Sequence, residues 1–120
     1  MPIHSMNFSN GIFFAVEEGM VSEAEAREWM RQLTAYATVH STPIVAIVDA
    51  NAVSLVSSEA SKVFIRASQI YNVSAIIVAT KDPFVRQIAS SIGIRGRQGG
   101  THVFSTMAEA RQLAEELLNR

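Results

Sequence analysis

Carboxyl, amide, hydroxyl and ammonium side chains gather in one short stretch of this sequence, Asp49-Ala50-Asn51-Ala52-Val53-Ser54-Leu55-Val56-Ser57-Ser58-Glu59-Ala60-Ser61-Lys62. It follows the apolar run Ile44-Val45-Ala46-Ile47-Val48 and leads into a helical stripe, so it joins a strand end to a helix start. Ser57, Ser58 and Ser61 fall at or near that start, where free backbone amides favour an oxygen or an anion. Two readings fit. In one, Asp49, Asn51, Ser57, Ser58, Glu59 and Lys62 make a phosphorylation or partner-docking corner. In the other, Ser57 or Ser58 is an ordinary helix cap and Asp49 steadies the loop. Caps of this kind are routine, so spacing alone favours the second. Thr80, Lys81 and Asp82 follow another strand and belong to the same sheet edge, where such folds usually meet ligands and partners.

Other chemistry finds less support. The run from Gly93 to Gly100 offers Arg95 and Arg97 to a phosphate, but it lacks the GK[ST] ending of a nucleotide loop and precedes a strand. A solvated connection is the simpler reading. His4, His40 and His102 share no ligand spacing and no carboxylates cluster beside them, so no metal is expected. Glu17 and Glu18 are consecutive on a strand, point to opposite faces and make no natural acid/base dyad. Trp29 lies on an apolar helical stripe and is assigned to the core. Glu17-Glu18, Asp49 and Thr80 faintly resemble the order in response-regulator receiver domains. One βα unit is missing, however, and the last strand leads into Ser105 where that family has Lys. With no thiol, no metal cluster and no Gly-x-Ser-x-Gly elbow, no catalytic residue and no cofactor is assigned.

The elements that position these residues follow from pattern. The chain has 120 residues, 48% hydrophobic and 18% charged, which suits one domain (1–120) able to bury a core without disulfides. A net charge of −1 supplies no basic field for nucleic acid. No apolar run approaches the ~20 residues of a membrane helix, and Met1 to Phe8 is too polar for a signal peptide, so a cytoplasmic location is expected. Asn10-Gly11 predicts a tight hairpin between Ile3–Phe8 and Ile12–Val16, and Gly19 then breaks the chain. Ser22 and Glu25 have capping-box spacing before a helix to about Thr38. Ile44–Val48 and Ala75–Ala79 read as buried strands.

A second helix carries Ala60, Val63, Phe64, Ala67, Ile70 and Tyr71. Asp82-Pro83 opens a third, with Phe84, Val85, Ile88, Ala89 and Ile92 inward and Gly93 as C-cap. Ile94 to Gly100 reads as a loop, Thr101–Phe104 as a strand, and Thr106 with Glu109 as a second capping box before the last helix. Strands alternating with helices imply an α/β fold whose mixed, mostly parallel sheet is packed by helices, with the hairpin as its antiparallel edge.

This order, with the residues after Asp49, resembles the STAS family of sulfate-transporter and anti-sigma-factor-antagonist domains. Asp49, Val53, Val56 and Ser58 match its strand end and helix-opening turn. Val103-Phe104-Ser105-Thr106 with Glu109-Ala110 is similar to its last strand and helix, and Glu18-Gly19 to its early strand ending. The likeness spans nearly the whole chain through short motifs. It departs where the family's switch lies. The turn Asp falls on Ser57, the phosphorylatable Ser on Glu59 and the Gly on Ala60. Glu59 can hold a constant negative charge but cannot carry a serine phosphate.

The resemblance implies a non-enzymatic regulatory domain of the divergent antagonist-like branch, without the usual phosphoserine switch. It would bind a protein partner through the Asp49 to Lys62 corner, either a kinase-like anti-sigma factor or a second copy in a homodimer. The alternative is a small-molecule sensor, with an apolar ligand or a nucleotide between the Asp49 loop and the third helix. A receiver-like or other small enzyme comes third.

Overall fold

Asn10 and Gly11 both take positive φ, 53° and 83°, the geometry a two-residue hairpin turn needs. They join β1 (Ile3–Ser9) to β2 (Ile12–Val21) as an antiparallel pair. A computed structural model of the chain describes residues 3–95 and 101–119, with only the backbone of residues 92–95. After the hairpin come α1 (Glu23–Val39), β3 (Ile44–Val56), α2 (Ser58–Ala67), β4 (Val73–Ala79), α3 (Pro83–Arg95), β5 (Thr101–Phe104) and α4 (Met107–Leu118). The sheet order is β1-β2-β3-β4-β5, and every pairing after the hairpin is parallel.

That order explains the layers. Each crossover carries the chain to the next strand in the same direction, so right-handed connections set α1, α2 and α3 on one face. Ile44, Ala46, Val48 and Ala50 of β3 meet that layer, together with Trp29, Leu33, Val63 and Phe64. Val45 and Ile47 point to the opposite face, which α4 covers through Ala110 and Ala114. β3 is therefore apolar at successive positions because it is roofed twice. Trp29 is fully buried, with its ring 5.0 Å from that of Phe64, as a core residue should be.

Several boundaries differ from the pattern reading. β2 does not stop at Gly19; it passes through it at φ 61° and ends at Val21. β3 does not end at Val48, so the expected apolar loop after Asp49 is strand as far as Val56. Irregular register explains why periodicity missed it. Val16 and Glu18 pair with Asp49 and Ala52, and Gly19 and Met20 with Val53 and Leu55. β3 thus carries two extra residues, and each bulge switches which positions face inward.

α2 ends at Ala67, leaving Ile70 and the exposed Tyr71 beyond it. Gly93 does not cap α3, which continues through Ile94 to Arg95. The rest of the expected Gly/Arg loop, residues 96–100, lies outside the described residues. Phe84, assigned to the inner face of α3, is 55% exposed, whereas Val85 and Ala89 are buried. Ser22 occupies the N-cap position of α1 but its hydroxyl makes no cap bond, so that capping box does not form. At α4, the Thr106 hydroxyl does accept from the Glu109 amide at 3.2 Å.

Candidate functional site

β4 pairs with β3 only as far as Asp49, opposite Ala79. Residues 50–56 of β3 run on past that point with β2 as their one strand partner among the described residues. This two-stranded projection ends where the Ser57 amide bonds to the Val21 carbonyl at 3.0 Å and α2 begins. Met20 and Leu55 are register partners on it, 53% and 43% exposed. The sheet thus delivers an exposed apolar pair and a helix start to one corner.

The six residues picked from sequence divide between two places around this corner. Ser57 is the N-cap of α2, its hydroxyl accepting from the Ala60 amide at 3.0 Å. Ser58, Glu59 and Lys62 are exposed on the first turns. The Ser58 hydroxyl donates to Glu59 Oε2 at 2.9 Å. That bond holds the Glu59 carboxyl below its ordinary range, and Lys62 adds a smaller pull in the same direction.

Asp49 and Asn51 belong to the second place. Asp49 Oδ1 accepts from both the amide and the side-chain nitrogen of Asn51, at 3.1 and 3.0 Å. Asn51 Oδ1 in turn accepts from the Lys81 amide at 3.2 Å. Asp49 is therefore committed to steadying the chain where β3 parts from β4. Thr80 is fully buried, and its hydroxyl accepts from the Asp82 amide at 3.2 Å. Asp82 caps α3, accepting from the Phe84 amide at 2.8 Å.

Sequence reasoning missed two features. The exposed Met20–Leu55 pair required the β3 bulges, which no periodicity reveals. The second is Glu17, which is only 4% exposed and points into the α1–α3 side of the sheet, like Phe13 and Ala15 before it. It lines an apolar cleft with Val53, Phe64 and Val85. Burial pushes its carboxyl up to about 8, and among the described residues no hydrogen-bond partner meets its Oε2. Strand alternation correctly separates it from Glu18, which is exposed.

His4 Nε2 lies 2.6 Å from Glu18 Oε1 across the hairpin, one pair and no cluster. Hairpin register, not sequence spacing, brings the two together. Among the described residues no group of three or more His, Asp or Glu side chains gathers as a metal site. No helix among them is long and apolar enough to cross a membrane.

With this geometry in place, the fold can be compared with solved ones. A crystal structure of an anti-sigma factor antagonist from Mycobacterium paratuberculosis superposes with a TM-score of 0.68, at 15% identity over 94% of each chain. An uncharacterized protein with a SpoIIAA-like fold from Shewanella loihica gives the same TM-score at 12% identity over 93% of each chain. The fold is therefore the SpoIIAA-like one, as the resemblance implied. No protein-family model matches the sequence, and no curated protein matches it.

Proposed function

We propose that this chain is a non-enzymatic regulatory domain of the cytoplasm that docks a partner protein with the corner where β2 and β3 end and α2 begins. The observation that carries the reading is the projection itself. It holds Met20 and Leu55 out of the core beside the polar first turn of α2. An apolar centre with a polar rim is the usual anatomy of a protein contact. The polar rim is Ser58, Glu59 and Lys62.

The nature of the partner comes from the structural neighbour, which by name antagonises an anti-sigma factor. Carried over, the partner is an anti-sigma-factor-like protein of the kinase-like kind, and docking involves no phosphoserine. Two features favour that last point. The Ser57 hydroxyl is engaged as a helix cap, and Glu59 keeps a constant charge on the first turn. Asp49 and Asn51 act from behind by fixing the direction of the strand that carries Leu55.

The test compares the wild-type chain with a Met20→Asp/Leu55→Asp variant as baits in the native host, with bound proteins identified by mass spectrometry. The expected result is an anti-sigma-factor-like protein held by the wild type and lost by the variant. Equal retention on both baits, or retention of no such protein, would overturn the reading. Sedimentation of both forms checks the homodimer. Self-association abolished by the variant would make a second copy the partner instead. Phosphopeptide mapping is expected to find Ser57 and Ser58 unmodified.

A further inference from the structure

Among the described residues two interior polar atoms, Glu17 Oε2 and Thr101 Oγ1, have no hydrogen-bond partner and belong to side chains that line the same apolar cleft. Native interiors rarely leave a carboxyl or a hydroxyl unmatched unless a further molecule supplies the missing bond. Glu17 stands on β2 and Thr101 on β5, with β3 and β4 between them. Three strand spacings, about 14 Å, separate the two strands laterally, and because Thr101 is in register with Phe13 through Ile76 and Ala46, Glu17 lies a further four residues, about 13 Å, along the sheet. The lining between them is apolar, with Val48 and Ile76 from the sheet, Phe64 from α2, and Val85 and Ile88 from α3.

Size and chemistry together select an occupant. A water-sized sphere can fill about 40 Å³ of the cleft, and the depression counted out to open solvent is about 480 Å³. So small a free volume, in a lining that reaches from β2 to β5, suits a slender chain better than a ring system. Among the described lining residues Glu17 is the one titratable group, and none of them is a cation. Its carboxyl therefore stays protonated, able to donate one hydrogen bond and to accept another.

We propose that the cleft between the sheet and the α2–α3 layer binds a linear amphiphile with an uncharged hydroxyl head. The head exchanges hydrogen bonds with Glu17, and the alkyl chain lies across β3 and β4 toward Thr101. The cleft uses the inner face of the projection, through Ala50, Val53 and Val56, whereas the docking corner uses the exposed Met20 and Leu55.

Decanol is the probe and decylamine its cationic counterpart, measured by thermal shift and calorimetric titration on the full chain. Decanol is expected to raise Tm saturably and to bind with a negative heat-capacity change. Glu17→Gln keeps a neutral hydrogen-bonding group and retains affinity within about threefold, whereas the near-isosteric Glu17→Met loses about tenfold, the equivalent of one good hydrogen bond. No saturable shift with decanol, or equal affinity in Glu17→Met, would overturn the proposal. Preference for decylamine, lost in Glu17→Gln, would overturn it as well, because Glu17 would then be a carboxylate counter-ion. Should the Met variant fail to fold, the comparison of decanol with decylamine on wild type and Glu17→Gln still decides.

Discussion

Glu17 and Glu18 are consecutive on β2 and occupy opposite environments. Glu18 is exposed and lies 2.6 Å from His4 Nε2 across the hairpin, whereas Glu17 is turned inward with no partner for its Oε2 among the described residues. A strand places neighbours on opposite faces, so one residue step moves a carboxyl from water into the core. The apolar surroundings of Glu17 come from β3 and α3, which are remote in sequence. Its burial is thus a property of the assembled layers.

Glu17 should make stability fall with rising pH. Its carboxyl is pushed up to about 8 by burial, against an ordinary 4.5. Between these values the folded chain keeps a proton that the unfolded chain releases, so unfolding free energy drops by about 1.4 kcal/mol per pH unit. The contribution is complete below 4.5 and gone above 8. Glu28 works in a separate acid window, since hydrogen bonds from Arg31 hold it down to about 2 and its contribution is lost as pH falls from 4.5 toward that value. Urea denaturation from pH 5 to 9 is expected to show the Glu17 slope in the wild type and to lack it in Glu17→Gln. Parallel slopes in the two proteins would show that Glu17 is ionised in the fold.

Asn72 should be among the costliest polar residues to replace. It sits at φ 70°, and the two hydrogens of its Nδ2 are shared among the carbonyls of Ala37, His40 and Thr42 at 2.9, 2.9 and 3.1 Å. It therefore ties the end of α1 to the turn before β4. Asn72→Ala loses these bonds and strains the left-handed backbone, an expected loss of about 2–3 kcal/mol. Asn72→Gly relieves the backbone alone and is expected to lose about 1–2 kcal/mol. Denaturant midpoints at constant m-value measure both.

What the sequence made legible follows the same division between local and assembled causes. Asn10-Gly11, Asp82-Pro83 and the Thr106–Glu109 spacing act through their own backbone, and each turn or cap formed where these residues placed it. Val45 to Ile47 announced a doubly covered strand because both faces demand the same residue type. The projection after Asp49 was hidden because two bulges break the period that would reveal a strand. Ser57 was legible as a cap. The exposed pair beside it was not, since Met20 and Leu55 lie far apart in sequence and meet through parallel register. Ser22 has the residue type and spacing of a cap, yet its hydroxyl makes no cap bond.

Gly19 should be required for its backbone alone. Nothing lies within 4 Å of where a Cβ would stand, so space is available, but φ is 61° in the stretch between the two bulges. Gly19→Ala is expected to cost about 1 kcal/mol, and Gly19→Asn less, because Asn tolerates the left-handed region. Thermal melts of the two variants check the order.

Ser57 and Ser58 should separate stability from docking. Removing the Ser57 hydroxyl leaves the Ala60 amide unpaired, so Ser57→Ala is expected to cost about 1 kcal/mol in chemical denaturation. Ser58 and Glu59 are exposed and bonded to each other, so Ser58→Asp and Glu59→Ser should stay within about 0.5 kcal/mol of wild type. They nevertheless change the charge on the first turn of α2, by one negative charge in opposite directions. If this turn faces a partner, affinity for that partner shifts with opposite sign in the two variants, more steeply at low salt. Titration calorimetry against the partner recovered by the wild-type bait, at two salt concentrations, gives the measurement. Unchanged affinity in both variants would place the contact elsewhere on the fold.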